Sequence, residues 1–146
     1  MRARLSTVAL LISISSAANA GPKEEAFQVV EKWTKAFSES DVDGIVKLYA
    51  ADAVMLGTGS KALITSPEGI RKYFEGALRN SKLTAALGER SVLQISDTTV
   101  VVTGLDTIIG VYADKPLNLA GRDTFVIAKR AADWQIVHFH RSAMPN

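Results

Sequence analysis

The hydrophobic pattern of this chain predicts an α+β domain: a curved antiparallel sheet with three N-terminal helices along one side, enclosing a pocket. Three observations carry that expectation. Apolar residues recur at helical spacing through the first half of the chain and at strand spacing through the second. The run Thr98–Tyr112 would reach about 50 Å if straight, too far for a domain of this size, so it must bend, most easily at Gly104 or Gly110. Long bent strands with helices on one side leave hollow space between the layers.

The N-terminus reads as an export signal over residues 1–20, followed by one domain over 21–146. Arg2 and Arg4 precede the apolar stretch Val8-Ala9-Leu10-Leu11-Ile12-Ser13-Ile14, and Ala18-Asn19-Ala20 supplies the small residues of a cleavage site. The apolar run is too short for a spanning helix, which needs about 20 such residues. The expected location is therefore periplasmic or secreted, with no membrane contact after cleavage. The whole chain has 17 basic and 15 acidic residues. Without Arg2 and Arg4 the balance is even, and no clustered basic face suggests a nucleic-acid partner. The absence of cysteine excludes disulfides, a thiol nucleophile and a thiolate metal site, so packing alone must hold the core.

The first helix is predicted over Lys23–Ser38, with Ala26, Val29, Val30, Trp33 and Phe37 on one stripe and Pro22 at its start. Asp41 should cap a short second helix with Val42, Ile45, Leu48 and Tyr49 inward. A short strand through Ala53–Leu56 and a loop at Gly57-Thr58-Gly59-Ser60 come next. Ser66-Pro67-Glu68 combines a capping hydroxyl, a first-turn proline and an acid at the positive dipole end. It should open a third helix with Ile70, Tyr73, Phe74, Ala77 and Leu78 buried, stopping near Arg79-Asn80-Ser81. From Glu89 onward the pattern is β, with strands over Ser91–Ile95, Thr98–Tyr112, Leu117–Arg130 and Trp134–Ser142. Turns are expected at Ser96-Asp97, Asp114–Pro116 and Ala131–Asp133, and Phe125-Val126-Ile127 should pair with Ile136-Val137-His138.

Few segments carry a recognisable chemistry. Gly57-Thr58-Gly59-Ser60-Lys61 lacks the spacing of a phosphate loop, and no G-x-S-x-G elbow is present. His138 and His140 share one face of a strand but have no third ligand nearby in sequence. They read as outer-face residues at a subunit contact, and neither a metal nor a cofactor is expected. Phe139 and Arg141 lie on the opposite face, in one row with Gln135 and Val137, which would put Arg141 at the pocket mouth above an apolar floor. Asp106 stands alone in the uncharged stretch Val100–Tyr112 and should be drawn inward. It reads either as a structural ion pair with Arg141 or as a general base. Asp52 reads as a helix or turn cap, and either Arg122 or Asp123 must face outward. Trp33 and Tyr49 belong to the core, with polar atoms that can reach a ligand.

The segment Trp134-Gln135-Ile136-Val137-His138-Phe139-His140-Arg141-Ser142, followed by Ala143-Met144-Pro145, closely resembles the last strand of the calcium/calmodulin-dependent protein kinase association domain. It is also similar to small bacterial proteins of the nuclear transport factor 2-like superfamily, which includes SnoaL-like cyclases and ketosteroid isomerases. Glu24–Phe37, Leu48–Ala53, Tyr73-Phe74-Glu75 and Arg79–Lys82 extend the resemblance over nearly the whole mature chain. It implies a cone-shaped fold, an internal pocket and oligomers, a dimer first, built on the outer face of the sheet. Of the pocket arginines that association domains carry, only Arg141 is matched, the aligned positions holding Asp106 and Phe125. The residues this assigns to a small-molecule ligand are Trp33, Tyr49, Phe125, Phe139 and Arg141. Three functions follow as expectations: exported ligand binding, an isomerase, cyclase or dehydratase using Asp106 with Arg141 or Tyr49, and an assembly module.

Overall fold

The computed structural model describes residues 20–145; the export signal expected over 1–20 lies, but for Ala20, outside them. Helix α1 spans Pro22–Ser38, with Glu24 and Glu25 in its first turn and Lys35 in its last, each complementing the helix dipole. Helix α2, Val42–Lys47, is capped by Asp41, whose carboxylate accepts the Gly44 N–H at 2.8 Å. Helix α3, Pro67–Leu78, is capped in the same way by Ser66, which accepts from Gly69 at 3.1 Å. Local capping chemistry set these starts, and they fall where the sequence puts them.

Five strands follow the order β1-β5-β4-β3-β2 in one sheet, with β1 Tyr49–Leu56, β2 Ser81–Ser96, β3 Thr99–Tyr112, β4 Lys115–Arg130 and β5 Asp133–Ala143. Four run antiparallel to their neighbours; β1 instead joins β5 in parallel, which makes the curved sheet mixed. Tyr49 therefore opens a strand and is not a helix residue. Strand β2 begins ten residues earlier than the β-pattern at Ser91 suggests. Its first half alternates buried Leu83 and Ala85 with exposed Lys82, Thr84 and Ala86; Lys82, Ala85 and Ala86 have weak strand propensity, and pairing with β3 holds them extended.

The bend comes from both strands of that pair. A bulge falls between Leu87 and Arg90 on β2, opposite Leu105, and Gly110 sits at φ +147°. A Cβ on Gly110 would collide with the Lys82 carbonyl, so only glycine permits this kink. The hairpin turns are two-residue loops. Ala113 and Asp114, at φ 48° and 62°, connect β3 to β4, one step before the expected position. A second bulge leaves Val137 unpaired between the Val126–His138 and Ile127–Ile136 pairs. The inward row of β5 is therefore Ile136, Phe139 and Arg141 rather than Val137, Phe139 and Arg141, because one extra residue reverses the phase of alternation.

The helices cover the face that carries Val100, Val102, Phe125, Ile127 and Phe139. Trp33 of α1 sits at the centre, stacked on Phe37 at 5.4 Å and in contact with Phe74, Phe125 and Phe139 at 5.9, 5.4 and 5.1 Å. Each such ring removed from water contributes about 1.5–3 kcal/mol. The opposite face of the sheet leaves Leu93, Leu105, Ile109 and Val111 exposed.

Candidate functional site

Four charged side chains enter the interior from the concave face of the sheet. Cross-strand register places Arg90, Gly104, Asp123 and Arg141 in one row, and Leu87, Asp106, Gly121 and Ala143 in the next. Two glycines thus alternate with two acids. Arg141 reaches over Gly121 to Asp106: Nε donates to Oδ2 at 2.7 Å and Nη2 to Oδ1 at 2.7 Å. A Cβ at position 121 would strike both partners, so the glycine makes this crossing possible. Arg90 similarly reaches over Gly104 to Asp123, with Nη1 and Nη2 donating to the two carboxylate oxygens at 3.0 Å each. All four side chains are buried, and bidentate geometry is what makes such burial tolerable.

Beyond this shared plan the pairs diverge. The Arg90 Nε has no hydrogen-bond partner among the described residues. Burial pushes the Asp123 carboxyl above its ordinary value; Arg90 pulls it back, and the nearby Asp106 raises it further. Arg141 instead extends to the Leu119 carbonyl through Nη2 at 3.0 Å and to Thr58 Oγ1 through Nη1 at 2.8 Å. Thr58 belongs to the loop after β1. That loop is pinned by the reciprocal backbone bonds between Met55 and Ile64, at 2.8 and 3.0 Å.

Arg141 and Thr58 border a cavity of about 460 Å³, within the usual range for small-molecule sites. Its apolar wall includes Trp33, Phe37, Leu83, Ile108, Leu117 and Phe139, and its polar end adds Tyr73, Gly57 and Gly59. The Tyr73 hydroxyl accepts the Gly59 N–H at 3.4 Å, and it packs where Gly57 has no side chain. Burial raises the Tyr73 pKa against the opposing pull of that N–H and of Arg141, so its phenol keeps its proton at neutral pH.

Of the residues assigned to a ligand from the sequence, Trp33, Phe139 and Arg141 border this cavity. Tyr49 and Phe125 lie behind it in the core. Phe125 is fully buried, and the Tyr49 hydroxyl accepts the Trp33 Nε1–H at 3.1 Å, with burial pushing its pKa far up. Asp106 does not border the cavity, and both its oxygens accept from Arg141. Arg141 is itself buried at the cavity's polar end, not at an open mouth. Asp123 is the inward member of the Arg122–Asp123 step. Asp52 caps no helix; it lies in β1 and pairs with Arg130 at 3.3 Å. His138 and His140 pair with Val126 and Thr124 on the outer face, and no cluster of three metal-ligating side chains forms among the described residues. Sequence reasoning missed Arg90, Thr58 and Tyr73 as site residues. An arginine facing a glycine is a signal for such a crossing only once the register is known.

Comparison with known proteins agrees with this architecture. A SnoaL-like domain model matches residues 27–146. A protein from Xanthomonas campestris named as a calcium/calmodulin-dependent protein kinase II association domain superposes with a TM-score of 0.78 at 31% identity, over 84% of this chain and 88% of that one. A ketosteroid isomerase-like protein from Erwinia carotovora atroseptica gives 0.71 at 16% identity, over 84% and 95%. An NTF2-like protein with a cystatin-like fold from Novosphingobium aromaticivorans gives 0.72 at 13%, over 86% and 83%. The last two share the fold alone. The chain belongs to the SnoaL-like domain family, within the nuclear transport factor 2-like superfamily and of the kinase association-domain type.

Proposed function

We propose that this SnoaL-like domain is an exported small-ligand-binding protein whose ligand occupies the cavity between α1, α3 and the concave sheet. The observation that carries this reading is the pairing of an apolar cavity of about 460 Å³ with a buried, fixed guanidinium at one end. Such a cavity gains free energy from apolar burial and orientation from a few placed donors. The export signal over 1–20 supports a periplasmic or secreted location. An isomerase or dehydratase reading needs Asp106 free to take a proton. Arg141 occupies both its oxygens, so binding is the better supported use of the site.

The exposed apolar residues of the outer face, Leu93, Leu105, Ile109 and Val111, support self-association through that face, as a homodimer. A thermal-shift screen of cyclic ketones, amides and aromatic alcohols tests the binding reading. A ligand at 100 times its Kd should stabilise the fold by about 2.7 kcal/mol. A screen in which no apolar compound moves the transition would count against it. Light scattering tests the dimer, and a monomer at all concentrations would exclude it.

A further inference from the structure

We infer that the cavity selects an uncharged molecule whose polar end is a hydrogen-bond acceptor, and rejects a carboxylate of the same shape. This rests on the reading of the cavity as a ligand site and specifies the chemistry of its polar end. A guanidinium has five N–H donors. In Arg141 one is held by Nε to Asp106, two by Nη2 to Asp106 and Leu119, and one by Nη1 to Thr58. One Nη1 donor is left. The Thr58 proton is committed, because the hydroxyl donates to the Arg141 carbonyl at 3.3 Å while its oxygen accepts from that guanidinium. The Tyr73 hydroxyl accepts from Gly59 and donates to no partner among the described residues. The protons left to meet a ligand at this end are those of Arg141 Nη1 and the Tyr73 hydroxyl, and a carbonyl, ether or hydroxyl oxygen answers them.

Charge decides between a neutral acceptor and an anion. An arginine at the end of an apolar cavity ordinarily suggests a carboxylate ligand. Here its charge is already neutralised in contact by Asp106, and the adjoining Arg90 by Asp123. The four buried ions sum to zero, and neither carboxylate borders the cavity. A carboxylate entering this space would lose its hydration without meeting an uncompensated cation, and it would approach the paired Asp106. A ketone or amide loses far less on leaving water. The internal acid thus works as a device against anions, the repulsive element that specificity commonly needs.

The test is calorimetric titration of the wild-type protein with matched pairs at pH 7.5. Three skeletons, naphthyl, indanyl and cyclohexylphenyl, are each presented as methyl ketone, primary amide and carboxylate. The neutral members of at least one skeleton should bind about tenfold or more tightly than its carboxylate. A carboxylate that binds as well or better overturns the inference while leaving the cavity a ligand site. If no member of any skeleton binds, both readings fall. Asp106→Asn unmasks the Arg141 charge and should move the ketone-to-carboxylate ratio at least about fivefold toward the carboxylate. Tyr73→Phe removes one donor and should weaken the ketone about fivefold with its apolar contacts intact. If Asp106→Asn does not fold, the wild-type ratios and Tyr73→Phe still decide the matter.

Discussion

The Arg90–Asp123 and Arg141–Asp106 pairs share a building plan and differ in what lies beside them. Each is bidentate, buried and threaded over a glycine between its two strands. Arg90 lies outside the cavity lining, with Nη2 on the Leu105 carbonyl and its Nε without a partner among the described residues. Arg141 borders the cavity and holds the Thr58 loop. A buried ion pair is therefore weak evidence of a working site by itself. The adjoining empty volume is what sets the Arg141–Asp106 pair apart.

The largest expected effect probes that difference directly. Removing one partner of a buried pair costs about 3–5 kcal/mol, because a desolvated charge remains. Asp123→Ala should approach the top of that range, since Arg90 does not border the cavity and keeps only the Leu105 carbonyl. Asp106→Ala should cost less, since water entering the cavity can solvate Arg141. Urea denaturation of the two variants measures this, and equal losses would erase the distinction. Gly121→Ala comes next. Its new methyl collides with Arg141 and Asp106 and should cost about 1–3 kcal/mol. Gly76→Ala on α3 has open space around it and should instead gain about 0.5–1 kcal/mol.

The two interior tyrosines repeat the contrast, one sealed and one at the cavity. Burial raises the Tyr49 pKa above its ordinary 10.0, so above that pH the unfolded chain loses a proton that the folded chain keeps. Unfolding then releases protons, and stability falls as pH rises. Tyr49→Phe should flatten this alkaline limb. It should also cost about 1 kcal/mol near neutrality, since the Trp33 N–H loses its acceptor. Thermal unfolding of both proteins between pH 7 and 11 shows the two effects. Smallest is Thr58→Val, expected within about 0.5 kcal/mol of wild type in stability, because Arg141 keeps Asp106 and Leu119. A loss of several kcal/mol would mean that the loop, not the acid, positions the guanidinium.

What the sequence made legible was the chemistry that acts locally or by simple alternation. The Asp41 and Ser66 caps, the Trp33 stripe and the need for a bend near Gly110 all depend on a few adjacent residues. Asp106 stood out because an acid in an uncharged strand must find a partner, and Arg141 was the inward cation nearest the chain end. The early half of β2 was hidden because Ala85, Ala86 and Gly88 become strand only through pairing with β3. The Val137 bulge was hidden because one inserted residue leaves the composition of β5 unchanged. The Arg90–Asp123 pair spans two strand spacings and needs the register of three strands at once. Helical spacing puts Tyr73 on the buried stripe of α3, yet it is half-buried and faces the cavity beside Gly57 and Gly59.

The central claim, that hollow apolar space beside Arg141 receives a ligand, is most directly tested with the neutral fluorescent probe N-phenyl-1-naphthylamine. Its emission, excited by energy transfer from Trp33, should saturate at one probe per chain and vanish in Ala77→Trp, which fills the cavity from α3. If the probe binds that folded variant as it binds wild type, its site is elsewhere and the account is wrong.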